Sequence, residues 1–179
     1  MLIERMAQLG HDHHFTVTAT TRDPRPGEKD GVHHHFVSRD TFFNMVAKDE
    51  LLEWAQVYGN YYGVPKQQVR DALAAGRHII IRVDVQGARR LRQIVPDALF
   101  IFIQPPSIET LREHLLRRRV NSAADLETRL AAADLEMREA SRFDYSVLNR
   151  EGALDSTVAD VVKIIDTEAV RVPPRSVVV

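Results

Sequence analysis

The run His78-Ile79-Ile80-Ile81-Arg82-Val83, followed downstream by Ala98-Leu99-Phe100-Ile101-Phe102-Ile103, decides the fold. Both stretches are mostly apolar and rich in β-branched or aromatic side chains, the composition of strands covered on both faces. The segment between them, from about Gln86 to Ile94, reads as a helix. Strand, helix, strand at this spacing predicts an α/β fold with a parallel sheet and crossover helices.

Working outward, Met1 to Leu9 carries Leu2, Met6 and Leu9 on one helical stripe, and Gly10 fits its end. His14 to Thr18 alternates as a strand, Thr20 to His35 is loop, and Phe36-Val37 is a short strand. Ser38 caps a helix through about Lys48, with Phe42, Met45 and Val46 on its apolar face. Leu51 to Val57 is a strand, Gly59 to Gly63 a turn, and Pro65 takes the first position of a helix ending near Gly76. Downstream, Ser107 caps a helix that runs into Arg117-Arg118-Arg119, and a long charged helix covers about Ala123 to Ser141. Tyr145 to Leu148 is a last core strand, and Asp155 caps a final helix to about Ala169.

A net charge of -1 gives no field that favours a polyanion, and with only short basic runs a nucleic-acid partner is not expected. The absence of cysteine excludes disulfides, thiolate metal sites and a cysteine nucleophile. No apolar run approaches the ~20 residues of a membrane helix. Glu4 and Arg5 follow Met1-Leu2-Ile3 at once, which is not a signal peptide. A cytoplasmic protein without a membrane partner is the expectation.

The chemistry concentrates in Thr18-Ala19-Thr20-Thr21-Arg22-Asp23-Pro24-Arg25-Pro26-Gly27-Glu28. Arg22 and Arg25 stand on a loop stiffened by Pro24 and Pro26 and turned by Gly27 and Gly31. Two guanidinium forks suit a phosphate, because each donates bidentate, charge-assisted hydrogen bonds. A solvated basic loop is the alternative reading of two arginines alone. Taken together with Tyr61-Tyr62-Gly63 and Asp84-Val85-Gln86-Gly87 in this order, the loop resembles that of the guanylate kinases, and the resemblance extends over nearly all of the chain.

The resemblance implies a three-layer parallel sheet of the P-loop nucleoside monophosphate kinase type, with its first strand and P-loop missing. It also implies a single domain over residues 1–170, with a core of 1–16, 79–108 and 141–170. Residues 17–78 would form a GMP-binding subdomain, 109–140 a lid, and 171–179 a C-terminal tail. Thr18, Arg22, Arg25 and Tyr62 would surround the GMP phosphate, with His34 donating to it where the family usually has a tyrosine. Glu53 and Asp84 would hold the guanine. A carboxylate only accepts, so it matches the N1 and N2 donors of guanine. Arg118 and Arg129 in the lid would neutralise charge as the phosphoryl group moves, and Asn149 would lie near the adenine of ATP. Each of these three also fits an ordinary surface or turn position.

Several matched positions depart from the family. Val64 stands where a hydroxyl contacts guanine, and His114 where a lid arginine is usual. Arg82 replaces an acidic residue near the metal and phosphates, where a cation repels Mg²⁺. Arg82 would instead pair with Asp84 or bind an anion. Gly10 is the only glycine before Gly27, and Lys29 is the first lysine. Met1 to Met6 resembles the back half of the helix that follows the family's phosphate-cradling loop. The family transfers a phosphoryl group from ATP to GMP with Mg²⁺, giving ADP and GDP. Without the cradle, the expectation is a chain that binds GMP or a related phosphorylated small molecule with little or no kinase activity. The alternatives are an N-terminally truncated active kinase and a phosphoprotein-binding module like the kinase-inactive domains of membrane-associated scaffolds. A histidine metal site would draw on His11, Asp12, His13 and His14 or on His33 to His35, but alternate histidines of a strand face opposite ways. Finally, Ser176 to Val179 is β-prone. It would fill the place of the central strand, from its own chain or from a second copy in a homodimer.

Overall fold

The computed structural model describes residues 2–10, 13–117 and 123–179. Along the chain the elements are α1 (Leu2–Gln8), β1 (His13–Phe15), β2 (Ala19–Thr20), β3 (His35–Phe36), α2 (Arg39–Ala47), β4 (Leu51–Val57) and β5 (Asn60–Pro65). Then come α3 (Lys66–Ala74), β6 (His78–Ile80), α4 (Val85–Ile94), β7 (Ile101–Gln104), α5 (Ile108–Arg117), α6 (Ala123–Arg138), β8 (Tyr145–Leu148) and α7 (Leu154–Ala169). Among the described residues no helix is long and apolar enough to cross a membrane.

The chain divides into two compact units. One holds Gly10–Asp97 with Val177–Val179, the other the residues up to Leu9 with Ala98–Ser176. In the first, β1 and β6 form a parallel pair with Phe15 opposite Ile80, and a separate mixed sheet runs in the order β3-β2-β5-β4. In the second, β7 and β8 pair in parallel, with Ile101 opposite Tyr145. These are the parallel ladders and crossover helices of the α/β class. The run from His78 to Val83 is a strand only to Ile80, and Ile79, Ile80 and Ile81 are half-buried rather than covered. Among the described residues β6 pairs along one edge only. A strand with one partner satisfies half its backbone groups and leaves part of each side chain open.

The first unit builds its core where the helix and strand patterns converge. Phe42 from α2, Ala19 from β2 and Leu51 from β4 are buried together, with Val37, Met45, Val46, Trp54 and Tyr61 packed against them. Ser38 caps α2 as its sequence predicts, accepting the Thr41 N–H at 3.1 Å. The predicted turn at Gly59–Gly63 is corrected: Tyr58 and Gly59 alone make it, both at positive φ (47° and 81°), and Asn60 onward is strand. Two left-handed residues match the twist of a tight hairpin. Gly63 lies in β5 for a different reason, since a Cβ there would meet Leu51 Cδ1 at 2.7 Å and Phe42 Cζ at 3.2 Å. Pro65 precedes α3 as its N-cap instead of opening it.

In the second unit Met6, Val158 and Val161 are buried on α1 and α7, and Arg5 pairs with Asp155 through two hydrogen bonds of 2.6 and 2.8 Å. Asp155 therefore does not cap α7. Ala153 is the N-cap, without a side-chain bond, and Asp155 sits within the first turn. The predicted strand at Ser176–Val179 is likewise absent. The tail is held by Arg175, which donates to Glu168 Oε2 (2.7 Å) and to the Ala98 carbonyl (3.2 Å). Pro173 and Pro174 have no N–H to give a ladder.

Candidate functional site

The loop after β1 is fixed before any ligand is considered. Thr16 N–H donates to the Ile80 carbonyl at 3.1 Å, extending the β1 ladder by one bond. The Gln68 amide then does for Val17 what a strand would, accepting its N–H at 2.8 Å and donating to its carbonyl at 2.7 Å. The chain arrives at Thr18 in one orientation.

Thr18 and His34 are both buried, and the Thr18 hydroxyl lies 2.8 Å from His34 Nδ1. The His34 ring stands edge-on to Tyr62 and Phe36, at centroid distances of 6.1 and 5.7 Å. The Arg22 guanidinium lies 5.6 Å over the Phe36 ring and donates from both terminal nitrogens to the Glu28 carboxylate, at 2.9 and 3.0 Å. Glu28 also accepts the Arg25 N–H at 2.7 Å. Arg22, with the Arg25 N–H, holds the Glu28 carboxyl down to about 2. His34 is held below its ordinary value by burial and then by the charges of Arg82 and Arg22, which favours the neutral ring. Four of the five predicted phosphate residues, Thr18, Arg22, His34 and Tyr62, are thus neighbours. The fifth, Arg25, has an exposed side chain with no partner among the described residues.

The residues expected to hold the base lie in the same unit. Glu53 of β4 is 6% exposed, and its Oε2 has no hydrogen-bond partner. Burial and then the Asp84 charge push its carboxyl up to about 7, against a smaller opposing effect of Arg90. Asp84 is the N-cap of α4, its Oδ1 accepting the Gly87 N–H at 2.8 Å. Val64, opposite Glu53 in the ladder, is fully buried and offers a base no hydroxyl. Arg82 is exposed on the connection from β6 to α4 and forms no ion pair with Asp84, contrary to one of its predicted roles.

Sequence reasoning missed Glu28, Phe36, Gln68 and Gly87. The signal for Glu28 was present, because a carboxylate beyond a glycine turn reaches back to both arginines of the loop. The contacts of Gln68 join it to Val17, far away in the chain, which no local pattern marks.

In the other unit Asn149 lines a cavity of about 180 Å³ with Ile103, Gln104, Pro105, Leu111, His114 and Leu115. His114 Nε2 lies 3.9 Å from Glu151 Oε2. Arg129 is half-buried on α6, and Arg118 lies outside the described residues, as do His11 and Asp12. No group of three or more His, Cys, Asp or Glu among the described residues is placed to hold a metal. His33 Nδ1 accepts from Lys29 N–H and His34 Nδ1 faces Thr18. With these ring nitrogens engaged inside the loop and an exposed cation, Arg82, two residues before Asp84, the side chains here do not fit a protein-held Mg²⁺.

Comparison with known proteins identifies the family. The guanylate kinase family model matches residues 2–168. A rice (Oryza sativa subsp. japonica) chloroplastic/mitochondrial guanylate kinase 2 is 44% identical over 177 residues, 98% of this chain and 62% of the relative. The chain thus spans less than two thirds of that relative's length. The guanylate kinase of Latilactobacillus sakei is 41% identical over 162 residues, covering 90% of this chain and 79% of its own. The crystal structure of guanylate kinase from Anaplasma phagocytophilum superposes with a TM-score of 0.80 at 28% identity, covering 95% of this chain and 81% of that one. The chain belongs to the guanylate kinase family.

Proposed function

We propose that this chain binds guanosine monophosphate, the phosphoryl acceptor, in the unit that carries Arg22 and Glu53. The observation that carries the reading is the cluster of Thr18, Arg22, His34 and Tyr62, to which Arg25 is tied by its backbone. Arg22 is already aligned against a planar anion, the Glu28 carboxylate, and Arg25 has its fork available. A phosphate brings three acceptor oxygens to these donors. Glu53 and Asp84 present acceptors to the base, which favours guanine over adenine.

The 179 residues contain no glycine-rich loop followed by lysine and a hydroxyl residue. By themselves they hold the acceptor with little phosphoryl transfer, since positioning and neutralising the triphosphate is most of the catalysis. A longer chain that carried such a segment ahead of Thr16 would transfer. The test is calorimetric titration of the 179-residue protein with GMP and with inorganic phosphate, beside a coupled assay of GDP formation from ATP and GMP. Saturable GMP binding, tighter than phosphate by tenfold or more, with GDP formation at least 10²-fold below a complete guanylate kinase, supports the reading. GMP binding no tighter than phosphate overturns its first half, and robust GDP formation its second.

A further inference from the structure

We propose that Gly87 is the positioning residue for base recognition: the bare first turn of α4 seats the Glu53 carboxyl, and the Gly87 N–H fixes the Asp84 carboxylate beside it. The inference rests on the reading of this unit as a guanine nucleotide site.

Glycine is a poor choice inside a helix, and nothing in the backbone asks for it here, because Gly87 has no positive φ. Space asks for it. A Cβ at Gly87 would lie 2.9 Å from Glu53 Oε2, 3.0 Å from Glu53 Cδ and 2.9 Å from Val83 Cβ. Of these neighbours the carboxyl is the end of a flexible side chain, so a methyl displaces Glu53, while the contact with Val83 Cβ, fixed to the backbone, adds strain to the turn that the folding measurement reads. Glu53 is buried, and its Oε2 has no hydrogen-bond partner, so the place of that oxygen is set by packing against Gly87 and not by a bond. The second contact points the same way, because Gly87 N–H donates to Asp84 Oδ1 at 2.8 Å. One residue therefore sets both carboxylates that face a base. Among the described residues Thr18, Arg22 and Glu28 form their hydrogen bonds without any residue of α4. Base affinity and phosphate affinity should accordingly separate.

The experiment is a double-mutant cycle of Gly87→Ala and Glu53→Ala, read as dissociation constants for GMP and for inorganic phosphate, with urea midpoints as the measure of folding. Gly87→Ala is expected to weaken GMP by tenfold or more and phosphate by less than twofold. The double variant should match Glu53→Ala alone. Equal weakening of both ligands, no change in either, or effects that add across the cycle would overturn the inference while leaving GMP binding intact. Wild-type GMP binding no tighter than phosphate would overturn the functional reading and this inference with it. A measurement on the unmodified protein stands beside the cycle in case Gly87→Ala does not fold. The Gly87 amide resonance should shift with GMP and stay still with phosphate, and a Gly87 amide indifferent to GMP contradicts the proposal.

Discussion

Two carboxyls of one unit move in opposite directions. Glu53 has its carboxyl raised to about 7, so its contribution to stability is complete below pH 4.5 and is lost as pH rises through 7. Glu53→Gln should therefore raise the urea midpoint above pH 7 and change it little near pH 4.5. Binding runs the other way, because guanine donors need the ionised carboxylate. GMP affinity should climb between pH 5.5 and about 7 by up to tenfold per unit and then level, and Glu53→Gln should weaken it tenfold or more and flatten the rise. A pH-independent GMP affinity in the wild type would contradict this. Glu28 is held near 2, so its stabilisation is present above pH 4.5 and fades only as pH falls toward 2. Glu28→Ala leaves Arg22 without its fork partner. It should cost about 1–2 kcal/mol at pH 7 and weaken phosphate binding severalfold, measured by urea denaturation and calorimetry. Tighter phosphate binding in Glu28→Ala would show that Glu28 competes with the ligand rather than aligning Arg22.

The legible elements were those whose signal is local. β4 and β8 fall on the predicted residues, and the Ser38 and Ser107 caps hold with bonds of 3.1 and 3.2 Å. The errors came where a tertiary contact outbid a local sign. Gly63 looks like turn punctuation and is a packing glycine, and Asp155 looks like a cap and is the partner of Arg5. The gathering of the Arg22 loop was legible because its arginines, prolines and glycines act within one short stretch. The approach of Gly87 to Glu53 was not legible, since the two meet only through the fold. Gly63→Ala tests the packing reading of β5. A methyl forced against Leu51, Phe42 and Trp54 should cost about 1–3 kcal/mol by urea denaturation, whereas a simple turn glycine with no such neighbours would cost much less.

On the scale of the whole molecule, each unit has a structural anchor of its own. In one, Arg175 ties the tail to Glu168 and to the Ala98 carbonyl, and Tyr145 donates to the other Glu168 oxygen at 2.7 Å. Arg175→Ala should lower the urea midpoint and loosen residues after Ala169 to hydrogen exchange without changing GMP affinity, because the anion cluster belongs to the other unit. On the proposed reading, one unit grips both ends of a nucleotide, phosphate through Arg22 and its neighbours and base through Glu53. Competitive calorimetric titration of GMP against AMP at pH 8 tests this most directly. The account predicts GMP binding at least tenfold tighter than AMP, a preference abolished by Glu53→Ala, and equal affinities for the two nucleotides would contradict it.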